Sequence, residues 1–179
     1  RKDPEASVSF FLENGYPIEG ILEYLVTIAN SNFEEWRLQN KDKDIDEFKF
    51  TVNKMSSSGA LFDMDKLIDV SKNVISKMDA ETVYEKVSEW TKQYDPEFYL
   101  SFTANPDYTK EILSIGRGGK KPRKDIAVWS GVKEYMGFFF DKYFVPAESF
   151  PKNLAKEDIV AVLSKYVSIF DPVDDQNTW

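Results

Sequence analysis

The sequence contains no cysteine and no histidine. The first absence excludes a disulfide framework, a thiolate nucleophile and zinc sites built on cysteine. The second removes imidazole as proton shuttle and metal ligand, and with it the Ser-His-Asp and Cys-His arrangements. Chemistry would fall to carboxylates and lysines, yet the carboxylates are scattered and no pair stands out as general acid and base. No catalytic residue and no metal site is therefore expected. No apolar run approaches the roughly 18 residues that span a bilayer, and the start does not read as a signal peptide. The expected setting is cytoplasmic, without a membrane partner. The chain opens at Arg1 and closes on Trp179, and both ends read as cuts in a longer chain.

What is present suffices for a folded protein. In 179 residues, 42% apolar and 15% aromatic content can build one sizeable core or two small ones. The spacing is helical almost throughout. Asp3 and Pro4 give an N-cap and first-turn pair with Gly15 as the stop. Ile18, Ile21, Leu22, Leu25, Ile28 and Ala29 form a second helical stripe. "NFEEWRLQN" adds a turn or two, and "FKFTV" alternates like a strand of five residues before "SSSG" breaks it. Beyond Asp63, Met64, Leu67, Ile68, Ile75 and Met78 make one stripe, and Val83, Val87, Trp90 and Tyr94 make the next. Asp79, Asp95 and Asn105 stand where N-caps belong, the latter two followed by proline. "DIAVWSGVKEYMGFFFDKYF" reads as an aromatic helix or helix pair, and "KEDIVAVLSKYVSIF" as a final helix. Its aromatics, Phe138, Phe139, Phe140, Tyr143 and Phe144 among them, read as core, with base stacking as the other use.

The charge is unevenly placed. The chain carries −8 overall, yet Arg117, Lys120, Lys121, Arg123 and Lys124 fall within eight positions of "SIGRGGKKPRKD", leaving −13 elsewhere. An acidic chain meets a polyanion only through a local patch. The run has three glycines and Pro122, lies between two helical patterns, and reads as an exposed loop. Flexible lysines and forked arginines there suit phosphate contact without reading base sequence; the bland alternative is a solvated loop with no partner. It is not a Walker loop, since Ser114 and Lys121 stand where that pattern needs Gly and Ser or Thr. Asp42, Asp44 and Asp46 imitate a calcium loop, but Glu47 and Asn53 fall where its Gly and Glu are required. "KMSSS", Lys54 to Ser58, nearly spells the KMSKS signature of class I aminoacyl-tRNA synthetases, with the uncharged Ser57 in place of the second lysine.

Several stretches together resemble glutamyl-tRNA synthetase. "RKDPEA", Arg1 to Ala6, is similar to the last letter of that family's signature and the residues just after it. "ENGYPIEGILEYLVTIANSNFEEW" resembles its "GY-P-EA-L-NYL" helix, and "MSSSGALFDMDKL" its "S-K-S-A-V-F-D-x-x-K-L" segment. These cover residues 1–78. "KKPRKDIAVWSGVKEYMGFFFD" and "KEDIVAVL" resemble the helical anticodon-binding part more loosely.

The resemblance implies a mainly α chain: a stem-contact region with helices and a short strand over residues 1–78, then an all-helical anticodon-binding bundle over 79–179 that stops short of the family's last helices. It implies a C-terminal fragment of a glutamate-activating enzyme, without the nucleotide-binding half and catalytically inactive alone. ATP and magnesium would serve the parent, not the fragment. The partner would be a glutamate-accepting tRNA, not DNA, bound by a monomer. Arg117, Lys120, Lys121, Arg123 and Lys124 would meet the tRNA backbone, with Lys54 and Lys66 nearer the stem and Arg1 and Lys2 closing the signature. The rival reading is a helical protein-interaction module whose basic loop grips an acidic partner.

Overall fold

The computed structural model describes residues 7–55, 59, 61–146 and 153–173. Among these the chain is mainly α-helical, as expected, with nine α-helices and no β-sheet. The helices are α1 (Val8–Glu13), α2 (Ile18–Ala29), α3 (Phe33–Gln39), α4 (Met64–Lys77), α5 (Ala80–Tyr94), α6 (Pro96–Phe102), α7 (Pro106–Ser114), α8 (Val132–Met136) and α9 (Lys156–Ile169). The contacts divide the chain into a unit of residues 1–144 and a second of 145–179. No helix among the described residues is long and apolar enough to cross a membrane.

Local chemistry accounts for where the helices begin. The carboxylates of Asp63, Asp79 and Asp95 accept the N–H groups of Lys66, Thr82 and Phe98 at 3.1, 2.7 and 3.0 Å, and Asn105 accepts that of Tyr108 at 3.3 Å. Each satisfies one of the orphan donors of a first turn. Pro96 and Pro106 occupy first helical positions, where the missing N–H costs nothing. At the N-terminus the helix starts at Val8 with Ser7 as its cap; Asp3 and Pro4 lie outside the described residues. Gly15 ends that first helical stretch as expected, at φ +84°.

Three expectations change. The stripe expected on α2 is only partly its buried face: Ile21 is buried and Ile28 packs on the same cluster, but Gly20 and Tyr24 complete that face while Ile18, Leu22 and Leu25 are exposed. Tyr24 turns inward because its ring packs edge-on to Phe62 and its hydroxyl accepts the Asp63 N–H at 2.6 Å. The "FKFTV" stretch is no strand. Short 3₁₀ turns at Ile45–Glu47 and Val52–Lys54 flank it, Phe48 packs on Phe33 and Trp36, and Phe50 and Val52 face solvent. A strand needs a partner ladder, and only an isolated antiparallel bridge, Asn30 to Met55, forms nearby. Finally, the aromatic segment after Asp125 is neither one long helix nor a pair of them. It runs as 3₁₀ turns Trp129–Gly131 and Gly137–Phe139 on either side of the five-residue α8. The break folds Phe140 and Tyr143 back onto Phe98, with ring centroids 6.0 and 5.7 Å away.

The first unit has two apolar clusters. Phe11, Ile21, Tyr24 and Leu67 form the smaller. The larger gathers Ile75, Val83, Val87, Phe98, Phe102, Ile112, Leu113, Ile126, Trp129, Val132 and Met136. Helix α4 supplies Leu67 to one and Ile75 to the other, two turns apart on one face. Long-range hydrogen bonds fasten the N-terminal turn to the distal helices: Trp90 Nε1 donates to Leu12 O at 2.9 Å, Ser130 Oγ to Asn14 O at 2.7 Å, and the Trp129 N–H to Gly15 O at 2.7 Å. A Cβ on Gly15 would sit 2.6 Å from the Ser130 nitrogen. In the second unit, no residue of α9 is buried, and the Tyr166 and Phe170 rings lie 5.5 Å apart along it.

Candidate nucleic-acid interface

The basic loop leaves α7 at Ser114. Gly116, at φ +69°, reverses the chain, and its carbonyl accepts the Arg123 N–H at 2.9 Å, closing the loop at its base. Gly118 to Pro122 project beyond that closure. With Lys124 they form one lip of a groove of about 1230 Å³ whose other walls are α2, α3 and α4.

The five charges of the run have three fates. Lys120, Lys121 and Lys124 line the groove, and no hydrogen bond or ion pair among the described residues holds their ammonium groups. Arg123 is turned aside onto Asp125, Nε to Oδ2 at 2.5 Å, and that carboxylate raises its pKa. Arg117 is half-buried. Its Nε donates to Leu113 O at 3.0 Å and its Nη1 to Ile75 O at 2.8 Å and Met78 O at 3.2 Å. Burial pulls its pKa below the usual value, offset in part by Tyr135 and Asp79. A guanidinium stays protonated regardless, and the carbonyls at the end of α4 carry the negative end of the helix dipole that suits it.

The groove brings in cations that the sequence pattern does not single out. Lys77, in the last turn of α4, donates to the Lys41 carbonyl at 2.5 Å. Desolvation lowers its pKa, Glu23 and Asp42 oppose this, and Arg37 and Lys124 reinforce it. Lys77 and Lys124 thus feel each other across the groove. Arg37 also lines it but is braced: its Nε pairs with Glu23 at 2.8 Å, its Nη1 donates to the Asn40 and Lys43 carbonyls, and its guanidinium lies 5.0 Å over the Trp36 ring. Lys66 stands on the α4 wall in an ion pair with Glu34, whose hydrogen bond raises its pKa. The lining holds Arg37, Lys41, Lys66, Lys77, Lys120, Lys121 and Lys124 against Glu23, Glu34, Asp42 and Asp69. An acidic chain therefore presents a net positive groove.

Of the expected contact residues, the structure places Lys66, Lys120, Lys121 and Lys124 on this groove. Lys54 is not among its lining residues; it ends a 3₁₀ turn, exposed, with its carbonyl accepting the Ser31 N–H at 3.3 Å. Arg1, Lys2 and Ser57 lie outside the described residues. The missed cations had no strong signal, because Arg37 on α3, Lys41 just after it and Lys77 on α4 each stand alone in sequence and look like ordinary solvated positions.

Helices without a sheet among the described residues, with a cation-lined groove on an acidic chain, define the class as a mainly α unit with a net positive groove. The comparisons give the family. The glutamate–tRNA ligases of Acetivibrio thermocellus, Clostridium perfringens strain 13 and Sorangium cellulosum are 45%, 44% and 41% identical over 179, 183 and 181 residues. Each alignment takes in the whole of this chain and 33%, 34% and 32% of the relative. The chain is homologous to the C-terminal third of glutamate–tRNA ligases and spans about a third of their length. No family profile and no solved structure matches it.

Proposed function

We propose that the chain is the tRNA-holding part of a glutamate–tRNA ligase, in which the remaining polypeptide activates glutamate with ATP and magnesium and transfers it to tRNA in the cytoplasm. The observation that carries this reading is the set of unpaired lysines, Lys120, Lys121 and Lys124, facing Lys77 across a groove on an acidic chain. Such cations displace counterions from a phosphate backbone and fix register without reading bases. No step through ATP or magnesium is assigned to the described residues, and, as the resemblance implies, the chain alone is expected not to aminoacylate. The two apolar clusters support a division of labour near residue 78, with stem contact before it and an anticodon-side bundle after it.

Filter binding of the chain to a glutamate-accepting tRNA, at two salt concentrations, tests the reading. Retention that weakens steeply with salt is expected. Failure to retain tRNA even at low salt overturns it.

A further inference from the structure

The five charges of the basic run are not equivalent, and the odd one is Arg117. Its three hydrogen bonds reach two separate places: the last turn of α7 through Leu113 O, and the corner after α4 through Ile75 O and Met78 O. That corner immediately flanks Ser76 and Lys77, which form the groove wall opposite the loop. The guanidinium therefore ties the root of the loop to the root of the facing wall. The loop is closed above it by the Arg123 N–H to Gly116 O bond. With Nε and Nη1 engaged on carbonyls, three of its five N–H groups are committed there, and the Arg117 side chain is absent from the groove lining.

We propose that Arg117 is a positioning residue for the tRNA backbone: its charge meets no phosphate, and it sets the separation between Lys77 and the lysines of the loop. The inference rests on the tRNA-holding reading above. A lysine at this position would keep the charge but lose the fork that reaches three carbonyls at once.

The experiment measures tRNA affinity against salt for the wild-type chain, for K120Q/K121Q/K124Q, for R117K, and for a protein with citrulline in place of Arg117. Citrulline keeps N–H donors for the carbonyls and removes the charge, so it also guards against a lysine variant that fails to fold. The expected result is that R117K, helical by circular dichroism, loses much of the salt slope that the triple variant loses, roughly 2 to 3 log units per log unit of salt. Citrulline at 117 keeps the wild-type slope. Amide exchange at residues 116–123 should quicken in R117K and not in the citrulline protein. A wild-type slope and affinity in R117K overturns the inference. So does a loss of roughly 0.7 to 0.9 in slope for citrulline, since that is the signature of one direct phosphate contact. A triple variant indistinguishable from wild type instead refutes the loop's part in tRNA binding, whatever Arg117 does.

Discussion

Neutralising Lys120, Lys121 and Lys124 together gives the sharpest number. All five charges of the run, taken as equal, would contribute a salt slope of roughly 3.5 to 4.5. The structure removes two from that count, because Arg117 is spent on backbone carbonyls and Arg123 on Asp125. Three free ammonium groups at roughly 0.7 to 0.9 counterions each leave a slope change of roughly 2 to 3. Between 50 and 200 mM salt, the wild-type affinity should therefore fall roughly 20- to 40-fold further than that of K120Q/K121Q/K124Q. The assay is filter binding or fluorescence anisotropy with labelled tRNA across that salt range. All three side chains are exposed and unpaired, so thermal stability should stay within about 0.5 kcal/mol of wild type. A slope change below about 1 would refute the geometric count. A change above about 3.5 is more than three ammonium groups can release and would refute the count from the other side.

Two stability predictions come from the frame beneath the groove. Gly15→Ala combines a left-handed backbone with a Cβ 2.6 Å from the Ser130 nitrogen. Conformational strain of about 1 to 2 kcal/mol and loss of the Trp129 N–H to Gly15 O bond, about 1 kcal/mol, together predict about 2 to 3 kcal/mol in urea denaturation. Gly118→Ala, also at positive φ but facing open space, should cost only the strain, and equal costs for the two would discredit the close-contact argument. For pH, the Thr82 N–H holds the Asp79 carboxyl below its ordinary pKa. Its contribution is complete above the unfolded carboxylate value, about 4, and is lost as pH falls through the lower folded value. D79N should be less stable at neutral pH and lose less stability on acidification than wild type; parallel urea midpoints from pH 6 to pH 3 would contradict this.

The helix starts were legible because a cap is a local device: Asp79, Asp95 and Asn105 each bond an N–H three residues ahead. What escaped depends on residues far away in sequence. Alternation in "FKFTV" predicts a strand only where a partner strand exists, and here aromatic packing of Phe48 on Phe33 and Trp36 takes its place. The inner face of α2 is chosen by Tyr24, whose hydroxyl finds the Asp63 N–H 39 positions on. A phenol is discounted in an aliphatic stripe, although its ring buries as readily. The basic loop was visible as charge, but the sequence presents five equal cations. Only the fold places the Ile75 and Met78 carbonyls around one of them and Asp125 beside another. The partners of the three free lysines, above all Lys77, come from helices whose order in space no local pattern records.

The fastening of Asn14 and Gly15 to Ser130 and Trp129 governs the order of assembly. The Ser130 to Asn14 bond joins residues 116 positions apart. Closing so long a loop is entropically expensive, and non-local contacts of this kind slow folding relative to neighbouring helix pairs. During synthesis the N-terminal turn leaves the ribosome well before the residues that anchor it, so it is among the last pieces secured. Residues before and after position 78 cannot be born separately: a polypeptide ended at residue 78 would lack Trp90, Trp129 and Ser130, the donors that fix its own first turn.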